Sequence, residues 1–396
     1  MFKRVASILL VLALLIGLMV SPAWAEPEAE KTPTEKSALL ETTAEAAVLL
    51  DYQSGKVIFS KNPDKKLPMA SVTKLMTMLL ACEAEAKNQI KLTDMVAASE
   101  HAASMGGSQI YLEPGEELTF EEMMISIATG SANDSSVAVA EQIGGSEEAF
   151  VKMMNDKAKE LGLSNTHFSN PTGLPVENHY TTAADMSVIL REALEYPLFR
   201  KVSGMYEHDL RDGEFKLWNT NKLLKWYRGC DAGKTGWTND AKYCLAASAE
   251  RDNLRLISVV LGCPQPKTHF QETIKLFNYG FARYQAVLLA KKAEKIKTVP
   301  LEKGMVENID VITAEQVSVV VPRGGEKGIE GKVELKNNLV APVKKGQVVG
   351  QYTVIKEGKE LNKVDLVVKA DVAKASPFQL MGKVMYKVFG MNEKNK

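Results

Sequence analysis

Apolar positions change their spacing several times along the chain, and each change marks an element. Over residues 6–20 they form an almost unbroken run behind the basic pair Lys3-Arg4; the run ends at Ser21-Pro22, before the small residues of Ala23-Trp24-Ala25. This is the pattern of a cleaved secretory signal over residues 1–25, with an apolar run too short for a retained bilayer span. Residues 26–43 are polar, contain two prolines and read as a flexible lead. Segments 47–52 and 56–59, around Gln53-Ser54-Gly55, predict a β-hairpin. Pro68 then precedes a helix that starts near Ser71 and carries Leu75, Met76 and Leu79 on one face. Thr119-Phe120-Glu121-Glu122 is a capping box that opens a further helix, which Gly130 can close. Helical periodicity returns over 134–143, 147–161 and 182–194.

Beyond Trp218 the pattern turns to strands at 242–249 and 254–261, followed by a helix at 270–284. Strands on both sides of a helical block imply an α/β fold in which the first hairpin and the late strands share one sheet. This domain is assigned to 44–285. From 293 to 372, short strands at 317–321, 331–335, 348–352 and 364–368, spaced by Gly and Lys turns, predict a small all-β domain. Behind Pro377, the residues Phe378, Met381, Met385, Val388 and Phe389 share a face at the helical period, with Gln379, Lys383 and Lys387 on a narrow opposite strip. That predicts an amphipathic helix over 376–396, read as membrane-anchoring, the other reading being a helix that docks on its own protein.

Basic and acidic residues number 49 each, so the net charge is zero and nothing global points to nucleic acid. The five histidines show no metal-ligand spacing, and neither a metal nor a cofactor is expected. Cys82, Cys230, Cys244 and Cys263 form no Cys-x-x-Cys pair and read as small buried thiols, although a disulfide among them stays open in an exported chain.

Three short strings carry candidate chemistry. Ser71-Val72-Thr73-Lys74 places a hydroxyl and an amine three residues apart on one helix face. The helix N-terminus supplies positive potential where an oxyanion would form. A free Lys titrates near about 10.4 and is no base at neutral pH, but burial beside a second cation lowers it. Lys234 is the obvious second cation. Ser131-Ala132-Asn133 follows Gly130 in a turn between helices: Ser131 can pass a proton to a leaving amine, and Asn133 can hold a substrate amide. Lys234-Thr235-Gly236 opens onto Trp237 in an edge strand able to pair with an extended peptide. There Gly236 permits close approach, Thr235 can bind a terminal carboxylate, and the N–H groups of Trp237 and Ser71 can form an oxyanion hole. Each string alone would read as helix caps, turns and an exposed Lys, and Ser60-Lys61-Asn62 matches the second pattern by accident. The ordered set is what is specific, and it matches the signature of penicillin-binding proteins and serine β-lactamases.

Longer strings extend the match: Leu67-Pro68-Met69-Ala70 ahead of Ser71, Asn170-Pro171-Thr172-Gly173-Leu174, and Asp231-Ala232-Gly233 ahead of Lys234. From about Ala46 to Val368 the chain resembles the D-alanyl-D-alanine carboxypeptidases, the low-molecular-mass branch of the penicillin-binding proteins. The resemblance implies a penicillin-binding/β-lactamase-like α/β catalytic domain at 44–285, with an antiparallel sheet and a helical block. It implies a serine-type carboxypeptidase reaction through a Ser71 acyl-enzyme that water hydrolyses, without a cofactor. The implied substrates are peptidoglycan stem peptides ending in D-Ala-D-Ala, and β-lactams are implied as covalent inhibitors. The implied location is the outer face of the cytoplasmic membrane, the cell wall or the periplasm. One position departs from the family pattern: a carboxylate-binding Arg usually follows the last core strand, and in the stretch from Cys263 to Phe270 it is His269 that stands in its place. Carboxylate recognition then falls to Thr235, Lys234 or Lys267.

Two other readings share these residues. A serine β-lactamase of class A carries Glu-x-x-x-Asn between its second and third motifs, and no such string lies between Ser131 and Lys234. A non-catalytic wall scaffold would have no need of the intact set Ser71, Lys74, Ser131, Asn133 and Lys234.

Overall fold

The computed structural model describes residues 40–336 and 338–389. The signal sequence expected at 1–25, and the lead expected at 26–43 up to residue 39, lie outside the described residues, as do residues 390–396.

Five antiparallel strands form the main sheet: β1 (Ala46–Asp51), β2 (Val57–Lys61), β3 (Cys230–Thr238), β4 (Lys242–Arg251) and β5 (Leu254–Cys263), in the order β2-β1-β5-β4-β3. The first hairpin and the late strands therefore do share one sheet, with Val48 opposite Val259 and Leu50 opposite Ile257. β1 is buried at every position, because both faces of the sheet are covered. Val48 and Leu50 enter the main core, while Leu49 turns to the other face and meets Gly280. β3 lies at the sheet edge, and its Lys-Thr-Gly string keeps the alternation of a strand: Ala232, Lys234 and Gly236 are buried, whereas Trp237 is exposed.

The helical block comprises α1 (Lys74–Ala86), α2 (Phe120–Thr129), α3 (Asn133–Gly144), α4 (Glu147–Glu160) and α5 (Ala183–Ala193), and α6 (Thr268–Arg283) packs against β1, β4 and β5. The helix expected from Ser71 instead begins at Lys74, because Ala70–Thr73 form a tight 3₁₀ turn. Nor does it present one apolar face: eleven consecutive residues, Lys74 through Ala84, are buried. It is the central helix of the domain, surrounded rather than amphipathic. The capping box at Thr119 forms as expected, with Thr119 Oγ1 accepting from Glu122 N–H and Glu122 returning a bond to Thr119 N–H, and Gly130 occupies the C-cap. The four thiols are free, three of them buried and Cys230 half-buried.

Past α6 the chain is β-rich. Tyr284–Ala290 pairs with Val317–Pro322, and a six-stranded sheet is built around Val348–Lys356 and Lys359–Val368. Two small cores hold this part, one around Val311, Val349 and Leu366, the other around Val319, Val354 and Val364. The last helix, Pro377–Phe389, has 13 residues; the remainder of the expected 376–396 beyond residue 389 lies outside the described residues. Lys383 ties it down by donating to the carbonyls of Gly304 and Met305 at 3.1 and 2.9 Å. Among the described residues no helix is long and apolar enough to cross a membrane.

Candidate active site

The 3₁₀ turn that carries Ser71 is a strained piece of backbone. Ala70, just before Ser71, sits at φ +48°, a left-handed conformation that costs a non-glycine residue about 1–3 kcal/mol. Two glycines from distant segments hold the turn. A Cβ at Gly173 would lie 1.9 Å from Ala70 O, and one at Gly236 would lie 2.8 Å from Met69 O and 3.0 Å from Ser71 N. Only glycine allows both segments to close this tightly. From below, Thr73 Oγ1 donates to Ala70 O at 2.8 Å and lies 2.7 Å from His179 Nε2. His179 Nδ1 accepts from Ser169 N–H, so Nε2 carries the proton and donates to Thr73. Burial pushes His179 down to about 4 and keeps it neutral.

Lys74 is fully buried at the start of α1. Its Nζ lies 3.1 Å from Ser71 Oγ, 2.6 Å from Asn133 Oδ1 and 2.6 Å from the carbonyl oxygen of Thr172. Asn133 Oδ1 and the Thr172 carbonyl can only accept, whereas the Ser71 hydroxyl can donate. Were Lys74 uncharged, its two N–H bonds would go to Asn133 and Thr172, leaving its lone pair for the Ser71 proton. Burial holds Lys74 well below the ordinary lysine range, and the Lys234 cation lowers it further against the opposing charge of Asp134. Lys234, also fully buried, donates to Thr235 O at 3.0 Å and is pushed down to about 7 by burial.

The first motif meets each of the other two. The first and second join through Lys74 and Asn133, and the first and third through the contact of Gly236 with Ser71 N. The third is tied to the end of α2, two residues ahead of the second, through Thr220, whose N–H donates to Thr129 O and whose Oγ1 accepts from Thr235 Oγ1 at 2.7 Å. Ser131, in the turn between α2 and α3, is buried at φ +59°. Trp237 projects into solvent beyond the Lys-Thr-Gly string. The accidental Ser60-Lys61-Asn62 lies elsewhere, on and just past β2; there Lys61 binds the carbonyls of Thr42 and Ala44, and Asn62 binds that of Glu45.

Several residues of the site carry no sequence motif of their own. Thr172, His179 and Thr220 act through a backbone carbonyl, a ring nitrogen and a bridging hydroxyl, roles that no spacing announces. In the sequence only the Asn170-Pro171-Thr172-Gly173-Leu174 string marks this region, as part of the family likeness. In the structure Asn170 Oδ1 gathers the N–H groups of Thr172 and Gly173, which sets Thr172 O toward Lys74. His269 gives no cation for a carboxylate: its ring is stacked on Tyr243 at 5.4 Å, and burial pushes it down to about 4. Among the described residues no group of His, Cys, Asp and Glu side chains is placed to hold a metal ion.

The geometry agrees with comparisons to known proteins. Residues 30–265 match the family model described as D-alanyl-D-alanine carboxypeptidase, a peptidase S11 family, and residues 284–374 match the C-terminal domain of penicillin-binding protein 5. The chain belongs to the D-alanyl-D-alanine carboxypeptidase family. It is 44% identical to the D-alanyl-D-alanine carboxypeptidase DacF of Bacillus subtilis over 94% of this chain and 96% of that protein. Its fold matches penicillin-binding protein 5 from Haemophilus influenzae with a TM-score of 0.67 at 32% identity, covering 85% of this chain and 99% of that one. It also matches penicillin-binding protein D2 from Listeria monocytogenes, in its ampicillin-bound form, with a TM-score of 0.56 at 30% identity, over 61% of this chain and 99% of that one. The carboxypeptidase is thus a penicillin-binding serine peptidase of peptidoglycan metabolism, with the penicillin-binding/β-lactamase-like domain followed by a β-rich one. Membership implies D-Ala-D-Ala peptides as substrates and β-lactams as ligands, and the family acts on peptidoglycan outside the cytoplasm.

Proposed function

We propose that Ser71 is the nucleophile of this carboxypeptidase and Lys74 its general base. The observation that carries this reading is the contact at 3.1 Å between Nζ of the fully buried Lys74 and Oγ of the half-buried Ser71. Ser71 attacks the carbonyl between the two D-alanines and gives its proton to Lys74. The N–H groups of Ser71 and Trp237 receive the oxyanion, a contribution on the order of 3 kcal/mol per donor at such sites. Ser131 relays the proton to the leaving amine, the terminal D-alanine departs, and water hydrolyses the Ser71 ester. Lys234 and Thr235 hold the terminal carboxylate. Asn133 already binds Lys74 and, through Nδ2, Gly106 O at 2.6 Å, which leaves one N–H and one lone pair for a substrate amide. Labelling with a fluorescent penicillin, followed by peptide mapping, tests this reading: the label belongs on Ser71 and is absent from Ser71→Ala. A label on another residue would refute it.

We further propose that the last helix rests on the outer face of the cytoplasmic membrane. Phe378 and Met381 are 81% and 60% exposed, and Met305 and Val306, on the turn that Lys383 ties to the helix, are 48% and 47% exposed. An apolar patch of this kind beside Lys383 and Lys303 suits an anionic lipid interface.

A further inference from the structure

One bulky residue near the motifs is held in a conformation that it does not favour. Tyr111 has φ +58°, left-handed backbone that suits glycine, and its side chain is 66% exposed. The surrounding groups force that shape. Asp134, fully buried at the start of α3, accepts the N–H groups on both sides of Tyr111: Ile110 N–H at 3.0 Å and Leu112 N–H at 3.1 Å. Arg211, from the hairpin Glu207–Leu210 and Phe215–Trp218, donates to Ile110 O at 2.9 Å and Tyr111 O at 3.4 Å and is anchored by Glu116. The Tyr111 ring meets Phe215 edge-on at 6.2 Å. Strain sustained by two buried or half-buried charged groups, to present a ring that is two-thirds exposed and meets Phe215 edge-on, points to a functional position.

The same loop is bonded to the second motif. Asn133 N–H donates to Ser108 O at 2.7 Å, and Asn133 Nδ2 donates to Gly106 O. Tyr111 therefore lies on the loop that Asn133 holds, three residues past Ser108. On the proposed reading, on which this inference rests, the terminal carboxylate lies toward Thr235. The part of the stem peptide before the two D-alanines then runs past Asn133.

We propose that Tyr111 is a specificity-determining residue: its ring is a platform for the side chain that precedes D-Ala-D-Ala in the stem peptide. The strain buys a presented aromatic face at that position, and Asp134 and Arg211 are its positioning residues.

Glycine separates this role from a structural one. Tyr111→Gly relieves the strained φ and removes the ring. Its melting temperature is expected to equal or exceed that of the wild type, because the left-handed backbone suits glycine. Its kcat/KM for a D-Ala-D-Ala pentapeptide, divided by its rate of acylation by a small β-lactam, is expected to fall about tenfold. Tyr111→Phe, which keeps the ring, should restore that ratio to within about twofold of the wild type. An unchanged ratio in Tyr111→Gly, or a lowered melting temperature with the pentapeptide and β-lactam rates reduced together, would overturn the platform. Failure of the wild type itself to label at Ser71 would instead remove the reading on which the platform rests.

Discussion

Lys74 Nζ and Asn133 Oδ1 are 2.6 Å apart, although 59 residues separate them in sequence. This contact does two things at once. It occupies one N–H of Lys74, and it does so with an amide oxygen, which brings no negative charge to hold the ammonium.

Replacement of that oxygen is therefore predicted to act through the proton. Asn133→Asp keeps the shape but places a negative charge against Lys74, raising its pKa. Acylation by penicillin at neutral pH should fall at least about 100-fold, and much of the loss should return as the pH is raised. Stopped-flow acylation of wild type and variant across the pH range measures this, and a loss independent of pH would argue against a neutral Lys74.

Lys234 supplies the second half of the same argument. Burial and then the Lys234 cation hold Lys74 low. Wild-type acylation should rise with pH as Lys74 loses its proton. In Lys234→Gln the neighbouring cation is gone, Lys74 keeps its proton to higher pH, and the acid limb should move to higher pH as well as the rate falling. An acid limb that stays in place would show that the two amines do not sense each other.

The parts of the molecule with strong local signals were readable from sequence. The capping box at Thr119, the buried run of β1 and the order of the three motifs all appear in the structure as expected. The state of Lys74 was not readable in the same detail. Its lowered pKa depends on burial and on Lys234, and its placement on Asn133 and on the Thr172 carbonyl 98 residues away; a backbone carbonyl carries no residue signature. The all-round burial of α1 was hidden for a related reason: its Thr77 is polar in sequence yet buried, because its hydroxyl donates to Pro171 O. In the β-rich part, Lys295–Glu302 and Asn308–Thr313 escaped notice because exposed Lys and Asn interrupt their apolar positions.

The glycine contacts make a stability prediction. Gly173→Ala places a Cβ where Ala70 O already lies, at a backbone angle of φ +84° that disfavours a side chain. It should destabilise the protein by about 2 kcal/mol or more and displace Ser71, so that penicillin labelling is lost. Thermal unfolding and labelling read both effects, and a normally labelled, equally stable variant would contradict the close packing.

Acid sensitivity follows from the buried histidines. His179 and His269 are both pushed down to about 4, against about 6.5 in the unfolded chain. Between those values the unfolded state binds the additional protons. Stability is thus fully present above about pH 6.5 and is lost as pH falls toward 4, by roughly 3 kcal/mol per histidine. His269→Phe keeps the aromatic stack on Tyr243 and removes one titration. Its melting temperature should fall less steeply with acid than that of the wild type, and an identical slope would show that His269 is not the buried neutral group.

Association with membranes has its own test. Phe378→Glu combined with Met381→Glu should abolish co-sedimentation with anionic vesicles and leave D-alanine release in solution intact. Retained sedimentation would place the contact elsewhere.

The most direct test of the account is quantitative release of D-alanine from a pentapeptide ending in D-Ala-D-Ala, comparing wild type with Ser71→Ala and with Lys74→Ala. The predicted result is one D-alanine per peptide from the wild type, none from Ser71→Ala, and a rate about 100-fold or more below wild type from Lys74→Ala. Comparable release by Ser71→Ala would contradict the assignment of Ser71 as the attacking group.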